Sequence, residues 1–146
     1  LIGTALRERA ADLRTKRLSV TVQVPPGTAT EGSPALLARL VENVVDNAVT
    51  HNEQGGWIGI TGSASAAETV LVVETGGRVF DQREVDRLAQ PFERLGGERT
   101  GSSGLGLSIV AAVAAAHGGR LALLARPAGG LRVSIRLPAA KVPVPA

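Results

Sequence analysis

The sequence predicts an α+β fold: a two-layer α/β sandwich whose mixed, mainly antiparallel sheet of about five strands is covered on one face by three helices. Three observations predict it. Two stretches with helical period, 33–52 and 105–117, are apolar and broad enough to cover a sheet. Strand-like runs at 57–63 and 69–75, and again at 120–126 and 131–137, come as two hairpins with short connections. Helices and strands also alternate irregularly, which argues against a parallel, doubly wound sheet.

At 146 residues the chain is one domain by length, large enough for a real core. A hydrophobic content of 44% with 20% charge is ordinary for a globular chain. No run has the length of a membrane span and no signal peptide is visible. The lack of Cys excludes disulfides and thiolate metal sites. Aromatic content of 2% argues against a base-stacking surface, and a net charge of +3 with scattered arginines reads as a solvated surface. Neither nucleic acid nor membrane is therefore an expected partner. Beginning at Leu1 rather than Met, the chain reads as a piece of a longer protein, with residues 1–138 as the domain and 139–146 as a frayed tail.

Residues 1–16 read as a helix with Leu6, Ala10 and Leu13 on one face. Leu18 to Val24 alternates with period two, a half-buried strand stopped by Pro25-Pro26-Gly27. The next helix opens at Ser33-Pro34, where Ser33 can cap and Pro34 suits the first position. Its apolar residues at 36, 37, 40, 41, 44, 45, 48 and 49 form a core-facing stripe that runs to about Asn52. After the two strands of the first hairpin, Gly76-Gly77 breaks the chain, and a short helix is predicted over Asp81 to Gln90 with Val85 and Leu88 inward. Gly96 to Ser103 has the composition of a mobile loop. Leu105 to His117 is an Ala-rich helix closed by Gly118-Gly119, and the second hairpin follows.

Three constellations carry chemistry. Asn43 and Asn47 share a helix face just off the apolar stripe, with Thr50 one turn on. Asn is mildly unfavourable inside a helix, so two at this spacing point to a task beyond helix formation; two solvated amides are the plain alternative. An amide offers a neutral oxygen, and magnesium takes oxygen ligands while completing its shell with water and substrate phosphates. Such an oxygen can hold magnesium against a triphosphate without adding like charge. Second, Gly101-Ser102-Ser103-Gly104-Leu105-Gly106-Leu107-Ser108 opens a helix, where glycines allow close backbone approach and free amides face an anion. It lacks the Lys of a Walker loop and the preceding strand of a Rossmann turn. Third, Glu74-Thr75-Gly76-Gly77 ends a strand, where Glu74 can accept from an exocyclic amine and Gly76 leaves room for a flat ring; a simple strand-ending turn is the alternative.

In this order and spacing the motifs resemble the catalytic, ATP-binding domain of bacterial sensor histidine kinases, a branch of the Bergerat-fold superfamily. The matches are an N box at Asn43 to Asn52, a G1 box at Glu74 to Gly77, an F box around Phe92 and a G2 box at Gly104 to Leu107. The resemblance implies ATP and Mg2+ as cofactors, Asn47 as magnesium ligand and Asn43 at the phosphates or the metal's water. It implies Thr50 in place of a usual basic phosphate contact, His51 along the nucleotide, Glu74 on the adenine amine where Asp is usual, and Gly76 as the pocket floor. Gly101, Ser103, Gly104, Leu105, Gly106 and Leu107 would wrap the phosphates, under a lid over 94–103 in which Arg94 and Arg99 reach the γ-phosphate.

By the same resemblance, the superfamily's hydrolases carry a Glu four residues before the metal-binding Asn. Here that place holds Asn43, which takes up no proton, and Glu42 is rotated by about 100° on the helix. The resemblance therefore implies a kinase that transfers the γ-phosphoryl to a histidine on a separate dimerisation and phosphoacceptor domain, upstream or in trans, with a response regulator beyond it, in the cytoplasm. The rival is a degenerate nucleotide-binding or docking module. Neither His51 nor His117 has an acceptor-like context. If Glu74 and Arg132 lie on neighbouring strands, their pairing would partly fill the adenine pocket and weaken ATP binding.

Overall fold

A computed structural model describes residues 1–25, 32–88 and 106–139. Period-two runs form β1 (Ser19–Gln23), β2 (Trp57–Ala64), β3 (Glu68–Thr75), β4 (Arg120–Ala125) and β5 (Leu131–Pro138), in one sheet of order β1-β2-β3-β5-β4. β1 runs parallel to β2 and the other pairings are antiparallel, so the sheet is mixed as expected. Alternation sends Ile58, Ile60, Val73, Val133 and Ile135, each at most 4% exposed, to an inner face. Trp57, Glu74, Arg132 and Arg136 fall on the outer face.

The inner face is covered by α3 (Pro34–Thr50) and α5 (Gly106–Ala116), which also pack on each other. α3 starts where its sequence signal stands: Ser33 Oγ accepts from the Leu36 N–H at 3.3 Å, and Pro34 holds the first helical position. The stripe from Leu37 through Leu40, Val41, Val44, Val45 and Ala48 to Val49 is buried. Each large aliphatic side chain contributes about 1.5–3 kcal/mol when buried. The propensity cost of an Asn is about 0.7 kcal/mol or less, so packing decides and the helix tolerates both.

The layout departs from expectation at two places. The helix over 1–16 is two, α1 (Ile2–Glu8) and α2 (Ala10–Thr15), broken at Arg9, whose guanidinium reaches Asp46 of α3 at 2.7 Å. Ala5 is the one buried residue of the pair, so little packing resists the break. α2 ends with Arg17 in the left-handed region (φ 54°), its N–H on Arg14 O at 3.1 Å and the Leu18 N–H on Leu13 O at 2.9 Å. The helix expected over Asp81 to Gln90 is α4 (Gln82–Asp86), capped by Asp81, whose Oδ1 accepts from the Arg83 N–H at 2.9 Å. Residues 89 and 90 lie outside the described residues, as does the tail from 140. Five helical segments, rather than the four read from the sequence, thus stand among the described residues, the extra one arising from the break at Arg9. None of them is long and apolar enough to cross a membrane.

Candidate functional site

The flank of α3 that carries Asn43 and Asn47, both half-buried, meets the first turn of α5. A Cβ on Gly106 would stand 3.7 Å from Asn43 Oδ1 and 4.0 Å from its backbone oxygen, so any larger residue would enter the space between the helices. Asn43 Nδ2 donates back to Arg39 O at 2.8 Å, which leaves Oδ1 on the α5 side. Leu107, 3% exposed, anchors the start of α5 in the core. Asn47 lines a narrow cleft between α3 and the sheet, with Val44, Ala48, His51, Val73, Thr75, Leu131 and Val133. Asn43, Asn47, His51, Gly106 and Leu107 are thus brought to one side of the domain.

Glu74 and Gly76 are not brought there, which corrects the expectation for both. Val73 and Thr75 point into the cleft, so Glu74 between them points to the outer face. It does stand opposite Arg132 in the β3–β5 register, but its carboxylate pairs with Arg126, Nε to Oε2 at 3.2 Å. Arg126 also donates to Thr75 O and Gly129 O, each at 3.1 Å, and its guanidinium lies 4.8 Å over the Trp57 ring. A Cβ on Gly76 would overlap Trp57 Nε1, so the glycine makes room for the indole rather than for a ligand. Arg126 and Glu74 therefore fasten the β4–β5 turn to the end of β3. The expected filling of the pocket by Glu74 and Arg132 falls away, because both face the other side of the sheet.

Thr50 is likewise not among the residues lining the cleft; its hydroxyl donates to Asp46 Oδ1 at 3.4 Å, on the carboxylate that Arg9 holds. Thr75, next to Glu74, is the inward-facing residue at the end of β3. It is 8% exposed, and its Oγ1 accepts from the Leu131 N–H at 3.2 Å. Asn52, at the end of the amide motif, is a turn residue: Nδ2 donates to Trp57 O at 3.0 Å and Oδ1 accepts from the Glu53 N–H at 2.9 Å. Arg94, Arg99, Gly101, Ser103, Gly104 and Leu105, with Phe92, lie outside the described residues.

Burial pushes the His51 imidazole below its ordinary pKa, Lys16 and Arg78 push it further, and Asp46 opposes them. A neutral ring is the result at pH 7. Because the unfolded chain then binds this proton more readily, the contribution of His51 to stability is flat above about pH 6.5 and falls as pH drops from there through the folded value. Melting temperatures at pH 8 and 5.5 are expected to differ less for His51→Gln than for the wild type. An equal acid loss in both proteins would count against this account.

A larger hollow of about 650 Å³ opens at the α1 end, between α1, β1 and the start of α3, lined by Ile2, Leu6, Val22, Leu37 and their neighbours. Among the described residues Thr69 is the one polar side chain lining it, whereas a binding site needs several converging polar groups. The amide-lined cleft is therefore the functional candidate, despite being smaller.

A two-layer sandwich with an amide-bearing helix set against a helix that the glycine run leads into defines a nucleotide-binding α+β domain. Residues 32–141 match the family described as histidine kinase-, DNA gyrase B-, and HSP90-like ATPase, and the chain belongs to that family as a histidine kinase catalytic domain. Sensor protein CutS of Streptomyces coelicolor is 39% identical over 140 residues, covering 93% of this chain and 34% of that protein. Sensor histidine kinase component HK1 of Mycobacterium tuberculosis is 32% identical over 143 residues, covering 97% of this chain and 84% of that protein. The solved mycobacterial sensor histidine kinase MprB has a TM-score of 0.82 at 28% identity, covering 97% of this chain and 95% of that one. The chain thus spans about a third of CutS and most of HK1.

Proposed function

We propose that this domain binds ATP with magnesium between α3 and α5 and passes the γ-phosphoryl to a histidine on a separate dimerisation and phosphoacceptor domain, in the cytoplasm, with a response regulator receiving it next. The observation that carries the reading is the meeting of Asn43 on α3 with Gly106 of α5, next to a cleft lined by Asn47, His51 and Thr75. Asn47 offers a neutral oxygen to the metal. Among the described residues no three His, Cys, Asp or Glu side chains are grouped to hold a metal ion. That suits magnesium, which needs few protein ligands when phosphates and water complete its shell. Bound there, it would offset charge on the phosphates. The glycine run Gly101 to Gly106, which the sequence places at the head of this helix, suits an anion, because the first N–H groups of a helix lack intrahelical acceptors. Thr75 Oγ1 accepts from Leu131 and keeps its own proton for an acceptor on the base. Residues 94–105, with Arg94 and Arg99 toward the γ-phosphate and Gly101, Ser103, Gly104 and Leu105 around the chain of phosphates, complete the site in this reading.

One observation favours transfer over hydrolysis, and a second says where the acceptor lies. Asn43 stands where a water-activating base would be needed and takes up no proton. Neither His serves as acceptor: His51 lines the cleft, and both ring nitrogens of His117 are engaged. Its Nδ1 lies 2.8 Å from Val113 O, and Nε2 accepts from the Ser33 N–H at 3.2 Å. The nucleophile thus comes from another domain. Incubation with labelled ATP and the acceptor domain of the same sensor is expected to put acid-labile phosphate on histidine. Phosphate released without any acceptor would argue for a hydrolase, and binding without transfer for a docking module.

A further inference from the structure

Lys16 caps the end of α2 and lies outside residues 32–141, the part the family description covers. Its Nζ donates to three carbonyls at the end of α3: Val49 O at 2.9 Å, Thr50 O at 3.0 Å and Asn52 O at 3.3 Å. A helix end leaves such oxygens short of donors, Val49 O having a long bond from the Asn52 N–H at 3.3 Å, and the dipole favours a cation there. An ammonium has three protons, so this one matches its acceptors in number. The backbone around Lys16 is fixed as well: the Gly55 N–H donates to Lys16 O at 2.7 Å, and Gln54 Nε2 to Thr15 O at 3.1 Å. The turn held in this way carries Thr50, His51 and Asn52, and His51 lines the cleft with Asn47 one turn before it.

We propose that Lys16 is a positioning residue for the nucleotide, holding the last turn of α3 so that His51 and Asn47 keep their places in the cleft. Lys16 is then part of the binding machinery, although it stands before the matched region. This inference rests on the nucleotide reading above, and its test separates the two. Mg-ADP affinity is measured by calorimetry for the wild type, Lys16→Met, Lys16→Arg and Leu13→Ala. Leu13 packs on the core from the same helix, and its side chain is not among the donors to those carbonyls. Lys16→Met is expected to weaken binding roughly five- to tenfold, and Lys16→Arg to restore it to within about twofold. Leu13→Ala lowers the melting temperature and leaves affinity unchanged. Amide exchange at His51 and Asn52, whose N–H groups bond Asn47 O and Val49 O, quickens in Lys16→Met and not in Leu13→Ala, with no nucleotide present. Lys16→Met binding like the wild type, or Leu13→Ala losing as much affinity as Lys16→Met, overturns the proposal. A wild-type chain that binds no Mg-ADP overturns the nucleotide reading, and this inference with it, whatever the exchange data show.

Discussion

Asn47→Ala is expected to weaken magnesium-ATP binding by roughly 30- to 150-fold while moving the melting temperature by no more than about 2 °C. The affinity figure follows from losing one interaction with a charged partner, worth about 2–3 kcal/mol at the upper part of the measured range. The small stability change follows from the position. Asn47 is half-buried beside the apolar stripe, so Ala removes few contacts and regains up to about 0.7 kcal/mol of helix propensity. Asn47→Asp separates metal binding from shape: it keeps an oxygen ligand but sets a charge near the triphosphate and next to Asp46 in sequence. Its affinity should fall between those of Asn and Ala and depend more steeply on magnesium concentration. Chelating the magnesium should bring wild type and Asn47→Ala to the same weak affinity. If the two differ as much without magnesium as with it, the amide does not act through the metal.

The parts of this chain that sequence reasoning reaches are those governed by local signals. Ser33-Pro34 starts α3 because a capping hydroxyl and a preset φ act within one turn, and the stripe from Leu37 to Val49 needs only a helical period. The side of β3 on which Glu74 falls is a different matter. Val70, Leu71, Val72 and Val73 are apolar without a break, so alternation is invisible and either Glu74 or Thr75 suits the inner face. Pairing with Val133 and cover by α3 settle the choice. The neighbour relation of Glu74 and Arg132 is legible from strand order, whereas the reach of Arg126 across Trp57 is not, since it depends on the turn after β4. Lys16 is less legible still. Its acceptors lie 33, 34 and 36 residues away, and no periodicity encodes a side chain that caps another helix.

Thr75→Val and Glu74→Gln form a pair whose outcomes differ according to which residue meets the base. Thr75→Val is nearly isosteric, so shape is kept while two hydrogen-bonding roles are lost. One is acceptance from the Leu131 N–H, which is left buried and unpaired at a cost of about 1–3 kcal/mol in stability. The other is donation to the base, worth about 1–1.5 kcal/mol, hence an affinity loss of roughly five- to tenfold. Glu74→Gln keeps an oxygen for Arg126 and removes only the charge. The two side chains are 34% and 25% exposed, so solvent screens the pair and little stability is at stake. Nucleotide affinity should stay within about twofold of the wild type. Stability alone does not decide between the residues, because Thr75→Val lowers it under either assignment. Preference for ATP over GTP does decide, measured well below the melting temperature of each variant. A hydroxyl aimed at the base makes that preference fall in Thr75→Val and persist in Glu74→Gln. The reverse pattern would return base recognition to Glu74, which would require β3 to turn over and expose Val73 and Thr75, both now at most 8% exposed. Burial of the inner face opposes that inversion, and for that reason the hydroxyl, rather than the carboxylate, is assigned to the base.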